Sequence, residues 1–102
     1  EREIDVGILW DRDDRLSKIF LNSLKNIKLG NNKPYSGRLK NDTLYKHATS
    51  NGIPNVLIEF RQDLLKKKHD RLRWAKKIYN ILKENEKSIN SFSIKNYGSY
   101  TL

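Results

Sequence analysis

The chain has 102 residues, carries 21 Lys and Arg against 12 Asp and Glu for a formal charge of +9, and is 36% hydrophobic. That length suits one small domain, and no apolar run approaches the roughly 20 residues that span a bilayer. There is no Cys, which excludes disulfides, thiolate zinc sites and a cysteine nucleophile, and fits a reducing, cytoplasmic setting.

The positive charge has two readings. One is an electrostatic footprint for nucleic acid. The other, which the even spread of Lys favours, is a solvated basic surface. The dense run is Lys66-Lys67-Lys68, followed by Arg71, Arg73, Lys76 and Lys77. The start, Glu1-Arg2-Glu3, has no signal-peptide pattern, and Met is absent throughout. A piece of a larger protein with its N-terminal half missing is the expectation.

Ile4 to Trp10 reads as a strand, apolar on both faces apart from Asp5. Strands of that kind belong to α/β folds with both sheet faces covered. Asp11, Asp13 and Asp14 offer N-caps and favourable negative charge for a helix running to about Asn26. Its apolar residues, Leu16, Ile19, Phe20, Leu24 and Ile27, recur at helical spacing.

Gly30 to Gly37 reads as a loop, with Asn31-Asn32 and a Pro34 that restricts Lys33. Thr43 to Ser50 is a short helix stopped by Asn51-Gly52. Asn55 to Phe60 is a second strong strand. A long amphipathic helix follows from about Lys67 to Asn85, with an apolar stripe of Leu72, Ala75, Ile78, Tyr79 and Leu82. Residues 1–87 form one unit, and 88–102 a tail, either untethered or with a short strand around Phe92 to Ile94. The order β-α-loop-α-β-α implies an incomplete parallel or mixed sheet within an α/β fold.

The informative segment is Val56-Leu57-Ile58-Glu59-Phe60-Arg61-Gln62-Asp63. A carboxylate inside an apolar strand is costly unless it is paired or used. Burial would raise its pKa, as suits a general base, and ligands of open α/β sheets bind at the carboxyl ends of strands. On spacing alone Glu59 reads equally as half of a structural Glu59–Arg61 pair or as a base. Asn32 and Tyr35, on the Pro-stiffened loop, could hold a carboxylate or amide, though an ordinary surface turn explains them too. His47 and His69 lack metal-ligand spacing, so no metal site is expected from this chain's own residues.

Three ordered blocks then resemble the C-terminal part of the N-formylglutamate amidohydrolase family. They are Val6-Gly7-Ile8-Leu9-Trp10 with Asp13 and Arg15-Leu16; Gly30-Asn31-Asn32-Lys33-Pro34-Tyr35-Ser36-Gly37; and Thr43, His47, Gly52-Ile53-Pro54 with Ile58-Glu59-Phe60-Arg61-Gln62-Asp63-Leu64. Trp74-Ala75 falls where the family's closing helix is expected. That family is similar to the zinc carboxypeptidases and aspartoacylases. The resemblance implies an α/β/α fold, a catalytic zinc held by residues upstream of Ile4, and an N-acylated acidic amino acid as substrate. It implies that Glu59 activates the attacking water. Arg61 would help to position substrate carboxylates, with Asn32, Tyr35 and His47 as further pocket residues. Without its metal ligands the chain alone is expected to be inactive. The rival expectation is a small basic nucleic-acid-binding or non-catalytic interaction module.

Overall fold

The computed structural model describes residues 4–33 and 43–99. The elements, in order, are β1 (Val6–Leu9), α1 (Arg15–Ser23), β2 (Leu29–Asn31), α2 (Thr43–His47), a 3-10 turn at Thr49–Asn51, β3 (Leu57–Phe60), a second 3-10 turn at Gln62–Leu65, α3 (Lys68–Glu84) and α4 (Glu86–Asn90). They form a small α/β domain with a three-stranded mixed sheet of order β2-β1-β3. β1 is parallel to β2 and antiparallel to β3.

Strand periodicity sorts the residues onto two faces. On one face lie Val6 and Ile8, with Ile58 and Phe60 beside them across the β1–β3 pair. This face carries the core. Val6 and Ile8 are fully buried and cluster with Phe20 and Leu24 around α1 and with Trp74 and Ile81 of α3. Phe60 meets Trp74 edge to face at 5.1 Å, a favoured aromatic geometry. The other face carries Gly7, Leu9, Leu57 and Glu59.

Four details depart from the sequence-based expectations. Gly30 lies not in a loop but inside β2, because pairing with Gly7 extends the sheet by three residues. Residues 34–37 of the expected loop lie outside the described residues. β3 is not buried on both faces: it is a sheet edge, and Leu57 and Glu59 are exposed. The buried stripe of α3 is Trp74, Ile78 and Ile81, whereas Leu72, Ala75, Tyr79 and Leu82 face away from the core.

The fourth concerns the C-terminal segment. It forms α4 and then an irregular run from Phe92 to Ser99 that is tied down, not untethered, and holds no strand. Arg15 anchors it. Its Nη1 donates to the Ser93 carbonyl, and its Nη2 reaches the carbonyls of Gly52 and Lys95. Phe92 and Tyr97 present their ring faces to the same guanidinium, 5.6 and 4.9 Å away. Asp13, nearly buried, holds Arg15 from the other side at 2.7 Å. Further along, Ser99 Oγ meets the buried carboxylate of Asp11, and Lys95 N donates to Gly52 O at 2.9 Å. Of the three acids expected to cap α1, Asp13 receives the Arg15 backbone N–H, and Asp11 serves the C-terminal segment instead.

Gly52 ends the Thr49–Asn51 turn at φ 73°, in the left-handed region that glycine enters without a Cβ penalty. This is the stop that Asn51-Gly52 predicts.

Candidate functional site

Glu59 occupies the third position of β3, directly opposite Gly7 in the antiparallel register. Gly30 lies on the far side of Gly7. The row that carries the carboxylate therefore has no other side chain. The gap is filled by main chain: a Cβ built at Gly7 would lie 2.9 Å from the Lys33 carbonyl oxygen, and one at Gly30 would lie 2.3 Å from it. Two glycines thus let the segment after β2 fold flat across the sheet beside Glu59. Asn32 makes the turn at φ 55°, a conformation that Asn tolerates better than most residues.

Glu59 is exposed, and among the described residues no hydrogen bond or ion pair engages its carboxylate. The Glu59–Arg61 pair therefore does not form. Arg61 follows β3 on the same face, as two-residue spacing requires, and turns to other acids. Its Nη1 meets Asp5 at 2.7 Å, and its Nε meets Asp63. Its backbone N–H also donates to Asp5 O at 2.9 Å, continuing the β1–β3 ladder by one residue. The Arg61 guanidinium holds the Asp63 carboxyl below the usual aspartate range, through the hydrogen bond first and charge second.

The carboxyl-end rule for α/β sheets fails here. β3 runs against β1 and β2, so its carboxyl end lies beside the amino end of β1: Phe60 pairs with Val6, and Leu57 with Leu9. Glu59 is consequently not at the carboxyl edge shared by the two parallel strands, and it is exposed instead of buried.

The other expected pocket residues are placed as follows. Asn32 is part of the segment beside Glu59. Its Oδ1 accepts the Trp10 backbone N–H at 2.8 Å, and its own N–H donates to Ile8 O at 2.9 Å. Its side chain thereby fastens the ends of β1 and β2 together. Asn31, which sequence reasoning passed over, does similar work: its Oδ1 accepts the Trp10 indole N–H at 2.6 Å. The Asn-Asn pair signals a turn but not which strand end it grips. His47 is exposed at the end of α2. Tyr35 lies outside the described residues. Among the described residues, no group of three or more His, Cys, Asp or Glu side chains is placed to hold a metal ion.

No protein-family model matches the chain, and no curated protein matches it. Among solved structures, it is similar to the crystal structure of gene product Atu2144 from Agrobacterium tumefaciens, with a TM-score of 0.76 and 30% identity. The match covers 88% of this chain, which spans 37% of the length of that protein. The fold described above is thus part of a larger architecture in at least one other protein. No helix among the described residues is long and apolar enough to cross a membrane.

Proposed function

We propose that this chain is the base-carrying part of a zinc-dependent amidohydrolase that cleaves the amide of an N-acylated acidic amino acid such as N-formylglutamate. The supporting observation is the setting of Glu59: a carboxylate with no partner among the described residues, on a glycine-lined sheet surface beside the Lys33 carbonyl. The three ordered sequence blocks support it, as does the partial likeness to a much longer protein.

Among the described residues no group is placed to hold zinc, and in this reading the metal ligands lie outside them. What this chain contributes is proton handling. A carboxylate in this position takes the proton from the attacking water and returns it to the leaving nitrogen, a role worth about 10²–10⁴-fold in rate. In this reading Arg61 acts mainly through the loop it fixes, because Asp5 and Asp63 already engage its guanidinium.

The test joins this chain to the zinc-binding N-terminal portion of an N-formylglutamate amidohydrolase and follows formate release. The chain alone with added zinc should release none. The chimera should turn over, and Glu59→Gln should lower kcat by about 10²–10⁴-fold with the zinc content unchanged. Near-normal turnover by the Gln variant would sink the role. The rival nucleic-acid reading predicts salt-dependent DNA or RNA binding by the folded chain. Two of its basic residues are engaged internally: Arg71 donates to the carbonyls of Leu65 and Lys66, and Arg73 pairs with Asp70.

A further inference from the structure

α3 carries two apolar stripes. The first, through Trp74, Ile78 and Ile81, packs on the sheet and α1. The second runs through Leu72, Ala75, Tyr79 and Leu82, and stays in solvent: Leu72 is 60% exposed, Tyr79 61% and Leu82 41%. Its spacing of three, four and three residues is the seam spacing of a helix that packs against another helix. At 1.5 Å per residue the seam is about 15 Å long, close to three turns.

Charge selects the occupant. The charged residues of α3 are basic apart from Asp70 and Glu84 near its ends, and Lys76 and Lys83 border the seam on one side, with Lys83 also meeting Glu86 at 3.1 Å. Lys68 lies in line with the seam, one turn before Leu72. Pairing two copies of this seam would bring like charges together, which opposes a homodimer. A bilayer surface would be met by a broad apolar face, whereas this seam is narrow and, of the two aromatic residues of α3, Tyr79 is outward while Trp74 is turned into the core on Phe60.

From this juxtaposition we propose that α3 is a docking surface for an acidic amphipathic helix of a partner protein. The partner's apolar residues would lie along Leu72, Ala75, Tyr79 and Leu82, and its Glu or Asp side chains against Lys68, Lys76 and Lys83. Rim charges of this kind set orientation and association rate, and the apolar seam sets residence time.

The test uses the full chain and a synthetic three-heptad helix with Leu along its seam and Glu on its flanks, measured by calorimetry. Saturable binding is expected, weakening as salt rises. A matched peptide with Lys flanks should bind at least about tenfold more weakly. The double variant Leu72→Gln, Tyr79→Gln should also lose about tenfold or more, with its far-ultraviolet circular dichroism unchanged because both side chains are largely in water. A second variant, Lys76→Glu with Lys83→Glu, should reverse the preference between the two peptides. Equal binding of both peptides, or no effect of either variant, overturns the proposal. Capture instead by phosphatidylserine vesicles, or concentration-dependent dimerisation abolished by the double variant, also overturns it.

Discussion

Glu59 and Gly7 face one another across the antiparallel β1–β3 pair, so a carboxylate stands beside a residue with no side chain. The Lys33 carbonyl closes over that same glycine. On the Gly7 side of Glu59 the neighbour is therefore backbone, and its close approach depends on the missing side chains of Gly7 and Gly30.

Substitution of either glycine should disturb this segment, and Gly30 more than Gly7. A Cβ at Gly30 would be 2.3 Å from a main-chain oxygen, which has no rotamer to escape into. Gly30→Ala should lose about 1–3 kcal/mol in urea denaturation, as overpacked sites do. Gly7→Ala, at 2.9 Å, should lose less. The amide resonances of Asn32 and Lys33 should shift in both. A Gly30→Ala protein as stable as the parent would contradict the close approach.

Arg15 and Asp13 form a largely buried ion pair at 2.7 Å. Arg15→Met leaves Asp13 buried without its cation and should cost about 3–5 kcal/mol. Adding Asp13→Asn to that variant should restore part of the loss, so the two changes together fall short of their sum by about 0.5–3 kcal/mol. Strict additivity in a denaturation cycle would show that the pair is not coupled.

Asp63 should titrate below an ordinary aspartate, because Arg61 hydrogen-bonds its ionised form. A carboxyl lowered in the folded state adds stability that is complete above its unfolded pKa and is lost as pH falls through the folded value. Arg61→Gln should move the Asp63 carboxyl resonance back toward the ordinary range. It should also remove this pair's contribution to acid resistance. An unchanged Asp63 titration in the variant would refute the pairing.

The two stripes of α3 should differ sharply in their effect on stability. Trp74, 8% exposed and in contact with Phe60, should cost about 3–5 kcal/mol when cut to Ala. Leu72→Ala should stay within about 0.5 kcal/mol of the parent, as surface changes usually do. Comparable losses from the two would mean that Leu72 is covered within the chain.

The main strands and helices were legible because their apolar residues are grouped at the right periods: Val6 to Leu9, Phe20 with Leu24, and Ile58 with Phe60. The seam of α3 was misassigned because two stripes share the helix, one through Leu72 and Tyr79 and one through Trp74 and Ile81. Periodicity ranks neither. The shape of Phe60 and the sheet surface decides. β2 was missed because Leu29-Gly30-Asn31 is too short, with a glycine at its centre, to announce itself without its partner strand. At the candidate site, the shared face of Glu59 and Arg61 followed from strand alternation. The failure of these two to pair did not, because Asp5 is brought to Arg61 by tertiary register. Arg15 gave no warning of its role, since three of its acceptors are backbone carbonyls that any residue could supply.

The tie between the first turn of α1 and the C-terminal run has a kinetic meaning. Arg15 reaches Ser93, and Asp11 reaches Ser99, across separations of 78 and 88 residues. Contacts that close such long loops form late, because the entropy of closure falls due before they return any energy. During synthesis β1, α1 and β2 can assemble while Arg15 still lacks its last acceptors. The buried ion pair is covered only once the segment from Ser93 to Ser99 has been made and docks on it.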